Sequence, residues 1–199
     1  MGMKIYKVAR WIVLAVLIFV VIAALKKPQP PAPPLTPEAV KEQAQQFESK
    51  LQQIEMAQQQ GAAPDPDAVT FTATEVNAFI QDATERAKSE AAQSGETQQD
   101  EVKNTQVAFT GDEVITQAVT ERHGVDVYVT VRGRLAVENG YLRFEPTGFK
   151  VGDLSVPVSL VDPSLQRKFN DPETREKLKL PDFIRDLRVE NGQLKIVPK

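Results

Sequence analysis

The hydrophobic pattern changes character several times along the chain, and each change marks an element. Residues 11–25, WIVLAVLIFVVIAAL, carry no charge and show no polar face. From Val40 the apolar residues Val40, Ala44, Phe47, Leu51 and Ile54 recur at alternating spacings of four and three until Gly61. That seam, with glutamine and glutamate on the remaining faces, predicts an amphipathic helix over 38–60. Val69–Thr72 reads as a short strand. A second, narrower stripe of Val76, Phe79, Ile80, Ala83 and Ala87 predicts another helix. Beyond Glu101 the period drops to two. Val125, Val127, Val129, Val131, Leu135 and Val137 alternate with Asp126, Tyr128, Thr130, Arg132, Arg134 and Glu138, the pattern of a strand with one apolar face.

Local signals set the ends of these elements. Thr36-Pro37-Glu38 offers an N-cap, a proline at the first helical position and an acid in the first turn. Thr72 and Glu75 have capping-box spacing, so each side chain can satisfy a backbone amide of the other. Asn77, in the first turns of that helix, reads as a solvated or backbone-bonded side chain. Asn139-Gly140 and Asn191-Gly192 are hairpin signals, because both residue types tolerate positive φ. Gly133 inside the longest strand suggests a bulge or bend. Strands are expected near 103–109, 113–121, 125–138, 141–151, 186–190 and 193–197. Asp162-Pro163 and Asp171-Pro172 predict short helices near 163–169 and 172–178. The expected fold is α+β, with two amphipathic helices covering a curved antiparallel sheet of about five to six strands.

The uncharged run changes the picture of where this fold resides. Fifteen residues of helix span only ~22 Å against a hydrocarbon core of ~30 Å. Val8 and Ala9 extend the apolar stretch, and Arg10, Lys26 and Lys27 can snorkel to the interfaces. Lys4, Lys7 and Arg10 precede it against Lys26 and Lys27 after it, which places the N-terminus in the cytoplasm and the domain outside. The rival is a cleaved secretory signal ending near Val21-Ile22-Ala23. The length of the run and the Lys-Lys-Pro that follows favour an uncleaved anchor. Residues 26–37, KKPQPPAPPLTP, hold six prolines and predict a polyproline II tether that sets the domain off from the membrane. The chain thus divides into an anchor at 1–27, a tether at 28–37 and an extracytoplasmic domain at 38–199. Within that domain lie a first helix (38–60) and a helix-plus-sheet core (69–199).

Composition narrows the chemistry. Net charge is −3 overall, but residues 1–27 hold five basic and no acidic groups, leaving −8 on the remainder. An acidic domain argues against nucleic acid, whose phosphates require concentrated lysine and arginine. With no cysteine, disulfides, thiolate metal sites and cysteine nucleophiles are excluded. The one histidine, His123, falls in a turn, ERHGVD. Asp65-Pro66-Asp67 lacks the further oxygen ligands and glycine of a calcium loop. No phosphate-cradling glycine loop, HExxH or GxSxG occurs. Neither a catalytic residue, a metal site nor a cofactor is expected.

The order of Thr72, Glu75, Asn77 and Phe79 at a helix start, then GYLRFEPTGFKVGDLSVPVSLV, then LPDFIRDLRVENGQLKIV, resembles the YpmS-like family of single-pass bacterial membrane proteins. The matching positions are Glu75, Asn77, Gly140, Val151, Gly152, Leu154, Val156, Pro157, Leu180 and Pro181. More distantly the chain is similar to tubular lipid-binding modules of the TULIP and LmeA type. The 36–60 helix departs from that pattern. The resemblance implies a strand-rich domain outside the cytoplasmic membrane that handles a lipid or lipid-like ligand.

The residues that would line an apolar groove are Val76, Phe79 and Ile80 from the second helix, Val127, Val129, Val131 and Leu135 from the long strand, and Phe144, Phe149, Leu154 and Val156 after it. A competing expectation is a scaffold that docks an envelope protein, or a second copy of itself, through Phe47, Leu51 and Ile54 or through a sheet edge.

Overall fold

A computed structural model describes residues 19–94, 102–122 and 124–199 of the chain. The first part of the apolar run and His123 lie outside these residues. Residues 19–25 are helical. Among the described residues, no helix is long and apolar enough to cross a membrane.

The architecture is α+β, with helices against two antiparallel sheets. Helix α1 (Pro37–Gln59) leads into β1 (Thr70–Phe71) and helix α2 (Ala73–Ser94). A meander follows: β2 (Val102–Thr110), β3 (Glu113–Arg122), β4 (Val125–Glu138), β5 (Tyr141–Val151) and β6 (Leu154–Val156). Helices α3 (Val158–Asn170) and α4 (Pro172–Lys177) precede the closing hairpin of β7 (Ile184–Glu190) and β8 (Gln193–Pro198). Strands β2 to β6 form one sheet in chain order, and β1, β8 and β7 form the other.

The division into two sheets differs from the single curved sheet that periodicity suggests. Its cause is β1, which pairs with β8 through Thr70↔Lys195 and Phe71↔Leu194. Ile196 N adds a bond to Val69 O at 2.9 Å. The closing hairpin therefore has its own partner. At its tip it is joined to the larger sheet, where Gly192 N donates to Gly111 O at 3.1 Å.

Caps act where the sequence puts them. Thr36 Oγ1 accepts from Ala39 N, and Asp171 Oδ1 accepts from Thr174 N. Asn139 and Asn191 adopt φ of 54° and 52°, each followed by a glycine at positive φ, so both Asn-Gly hairpins form. The β4–β5 register shifts between Arg132↔Gly148 and Gly133↔Pro146, so the extra residue is Thr147 on β5, facing Gly133, whose own strand stays in continuous register with β3. Helix α3 departs from expectation: it starts at Val158, and Pro163 lies inside it. The segment holding Pro157 releases the chain from β6 directly into the helix, and the missing proline N–H costs one bond near its start.

The core gathers where α1, the small sheet and one half of the large sheet meet. Phe47, Ile54, Phe71, Val107, Val114, Ile184, Val189 and Ile196 are all buried in it. Phe47 stacks on Phe79 with ring centroids 4.5 Å apart and tilts against Phe71 at 4.8 Å. The α1 seam is thus an inward face. Phe47 and Ile54 are buried, and Leu51 packs against the same cluster.

Buried polar contacts lock α2 in place. Glu75, 3% exposed, receives Thr72 N at 2.7 Å and Lys50 Nζ at 2.6 Å. Lys50 Nζ also reaches Thr70 O at 2.9 Å, tying α1, β1 and α2 together. Burial by itself pushes the Glu75 carboxyl upward. Hydrogen bonds from Lys50 and from both Thr72 donors outweigh it, and the carboxyl is held below its ordinary value.

Candidate functional site

The apolar face of the large sheet divides along its length. Register fixes which residues share it, because directly paired positions point to the same side. Val131 sits between Thr116 on β3 and Phe149 on β5, and Phe149 pairs onward with Val156. The next row is Ala118, Val129, Val151 and Leu154. Val127, opposite Thr120, forms a further row toward the β3–β4 turn. In the other direction, Leu135 pairs with Phe144.

The candidate lining residues fall into two groups. Val76, Phe79, Ile80, Leu135 and Phe144 pack against the buried cluster and belong to the core. Val127, Val129, Val131, Phe149, Leu154 and Val156 are half-buried and lie outside that cluster. The structure brings these six together as one continuous apolar patch across β4, β5 and β6. It does not join them to Phe79, whose ring is stacked against Phe47.

Strand β6 was hidden in the sequence, since three residues are too few to show a period. It adds Leu154 and Val156 to the patch by pairing with Val151 and Phe149.

The patch ends at a contact with the apolar N-terminal segment. Asp153 N, in the β5–β6 turn, donates to Ala23 O at 2.9 Å, and Lys26 Nζ lies 2.6 Å from Asp153 Oδ2. Gly152 holds φ of 57°, and a Cβ there would come within 2.5 Å of Ala23 O and 2.4 Å of Ala24 O. Only glycine fits between turn and helix.

The proline-rich segment also differs from a free spacer. Gln117, 5% exposed on the opposite face of the sheet, donates to Gln29 O at 3.4 Å. Pro33, Pro34 and Leu35 close one side of a cavity of about 350 Å³ against Ile80, Thr84 and Thr105. The tether therefore runs along the domain.

Asn77 is backbone-bonded rather than solvated, and its partner is a strand remote in sequence. Its Nδ2 donates to Val107 O at 2.7 Å, and its Oδ1 accepts from Val107 N at 2.6 Å. The side-chain amide thus pairs with the outer edge of β2 as a neighbouring strand would. The partner lies thirty residues away, so no local pattern reveals it.

Among the described residues, no group of three or more His, Asp or Glu side chains is placed to hold a metal ion. No protein-family model matches the chain, and no curated protein or solved structure is significantly similar to it.

Proposed function

We propose that the protein is a membrane-anchored, extracytoplasmic binding module whose sheet face takes the acyl chain of a lipid or a similar apolar ligand. The observation that carries this reading is the patch of Val127, Val129, Val131, Phe149, Leu154 and Val156. It is continuous by register, only half-buried, and starts beside the helical end of the apolar run.

A solvated sheet face usually alternates in threonine and charge, whereas five of these six side chains are aliphatic and the sixth is phenylalanine. The ligand source is the bilayer itself. Each methylene leaving water for such a face gains ~0.8 kcal/mol. A chain drawn from a bilayer is already out of water, so the exchange is nearly balanced. That balance suits holding or passing a lipid rather than trapping it. The resemblance to YpmS-like and TULIP-like proteins points the same way.

Docking through Phe47, Leu51 and Ile54 is less well supported, because α1 would have to leave the core to present them. The reading assigns no chemical step and no cofactor.

Its test is lipid mass spectrometry on residues 26–199, purified without detergent. A bound lipid, lost when Val127, Val129 and Val131 are together changed to threonine, supports the module. Threonine keeps the strand preference and near-identical volume while removing apolarity. A folded, monodisperse sample free of lipid would reject it.

A further inference from the structure

We infer that the domain is docked flush on the bilayer it is anchored in, with the β5–β6 turn and the adjoining start of β4 as its membrane-facing end. The proline segment is then a strap along the domain, not a standoff. This rests on residues 11–25 being the anchor and is independent of whether the sheet face holds lipid.

Several contacts carry it. The apolar run ends at Leu25, yet Ala23 O already accepts from Asp153 N at 2.9 Å. The β5–β6 turn therefore meets the anchor inside its last helical turn, with no spacer between them. Gly152 leaves no room for a side chain there, and its own N donates to Tyr128 O at 2.8 Å, so the clamp is continuous with β4. Lys26 adds an exposed ion pair to Asp153, which orients the turn while contributing little binding. On the other side, Gln117 holds Gln29 against the sheet, so the strap is engaged soon after it leaves the anchor.

The end of the sheet beyond this clamp has the surface expected at a lipid headgroup layer. Val125 lies three residues past Tyr128 on β4, roughly 10 Å at the usual strand rise. Val125 is 43% exposed and Val102, on the neighbouring end of β2, is 41% exposed. The two acids beside them share one cation: Lys103 Nζ lies 2.5 Å from Glu121 and 2.8 Å from Asp126 and offsets one of the two negative charges. An exposed pair of valines beside partly compensated carboxylates fits the headgroup zone of a bilayer. With this end at the membrane, the apolar rows of Val127 and Val129 open toward the lipid.

The chain has no cysteine, so a single introduced thiol is labelled uniquely. Full-length protein would be reconstituted in phosphatidylcholine vesicles carrying a headgroup nitroxide quencher. An environment-sensitive fluorophore would be placed at Val125→Cys or at Gln193→Cys. Gln193 is at the opposite end, next to the Gly192–Gly111 contact. Docking predicts several-fold stronger quenching at 125 than at 193. It also predicts that Gly152→Val with Asp153→Lys lowers quenching at 125 to the level at 193. Equal quenching at both sites in the otherwise unaltered chain overturns the docking, and so does strong quenching at 125 that survives the double change. Lipid mass spectrometry on the released domain is unaffected by either result, so the two readings fail separately.

Discussion

Replacing Asn77 with alanine should destabilise the domain far more than its position on a helix surface would suggest. The side chain is 8% exposed and makes two bonds, at 2.6 and 2.7 Å, to the backbone of Val107, itself 7% exposed. Alanine would leave one buried N–H and one buried C=O without partners. Each such orphan costs about 1–3 kcal/mol, giving a total of roughly 2–5 kcal/mol after allowing for partial relaxation. At a urea m-value of ~2 kcal/mol/M the midpoint would fall by about 1–2.5 M. The assay is urea unfolding of residues 26–199 followed by far-UV circular dichroism. Asn77→Asp sharpens the prediction. Its carboxylate can still accept from Val107 N but faces Val107 O with no proton to donate, so its folded pKa is raised. A raised carboxyl pKa means stability present in acid and lost as pH rises through the folded value. The Asp variant should therefore recover toward the parent at low pH. A loss below ~1 kcal/mol for the alanine variant, or an Asp variant whose deficit does not shrink in acid, would refute the edge-pairing role.

Other perturbations test the remaining supports. Glu75 has a depressed pKa, so its contribution is present above the ordinary carboxylate range and lost as pH falls through the folded value. Glu75→Gln should remove that acid-side loss from a pH series of thermal melts. Gly133→Ala places a Cβ 2.3 Å from Glu145 O, a backbone atom that cannot turn aside, and 2.5 Å from Cζ of the Phe144 ring. It should cost about 1–3 kcal/mol in chemical denaturation. Phe47→Ala removes a buried ring stacked between Phe71 and Phe79 and should cost about 3–5 kcal/mol. A nearly neutral Phe47→Ala would place α1 outside the core and revive docking through its seam.

The parts of the fold legible in the sequence are those that local chemistry determines. Thr36-Pro37 starts α1 and Thr72 with Glu75 starts α2, while the two Asn-Gly pairs turn the chain where positive φ is needed. Gly133 signals an irregularity, but the extra residue is Thr147 on the facing strand β5. What escaped depends on partners remote in sequence. Whether the strands form one sheet or two is decided by β1 meeting β8, a pairing of residues about 120 positions apart that no periodicity encodes. Strand β6 is too short to show a pattern, and α3 begins ahead of its proline because the chain leaves β6 already turning. The candidate face was half legible. Alternation identified which side chains of β4 share a face, but it could not separate Leu135, covered by the core, from Val127, Val129 and Val131, which are not. The proline segment reads as a spacer by composition, yet it is held by Gln117, a polar residue that looks solvent-facing in isolation.

The most direct test of a lipid-holding face uses the full-length chain in vesicles doped with a phospholipid bearing a diazirine near the end of one acyl chain. After irradiation, digestion and mass spectrometry, adducts should map to peptides containing Val127–Val131 and Phe149–Val156 as well as to the apolar run, and the triple threonine change should remove the former alone. Adducts confined to residues 1–25 would show that lipid meets the anchor but never the sheet, and would contradict the binding role.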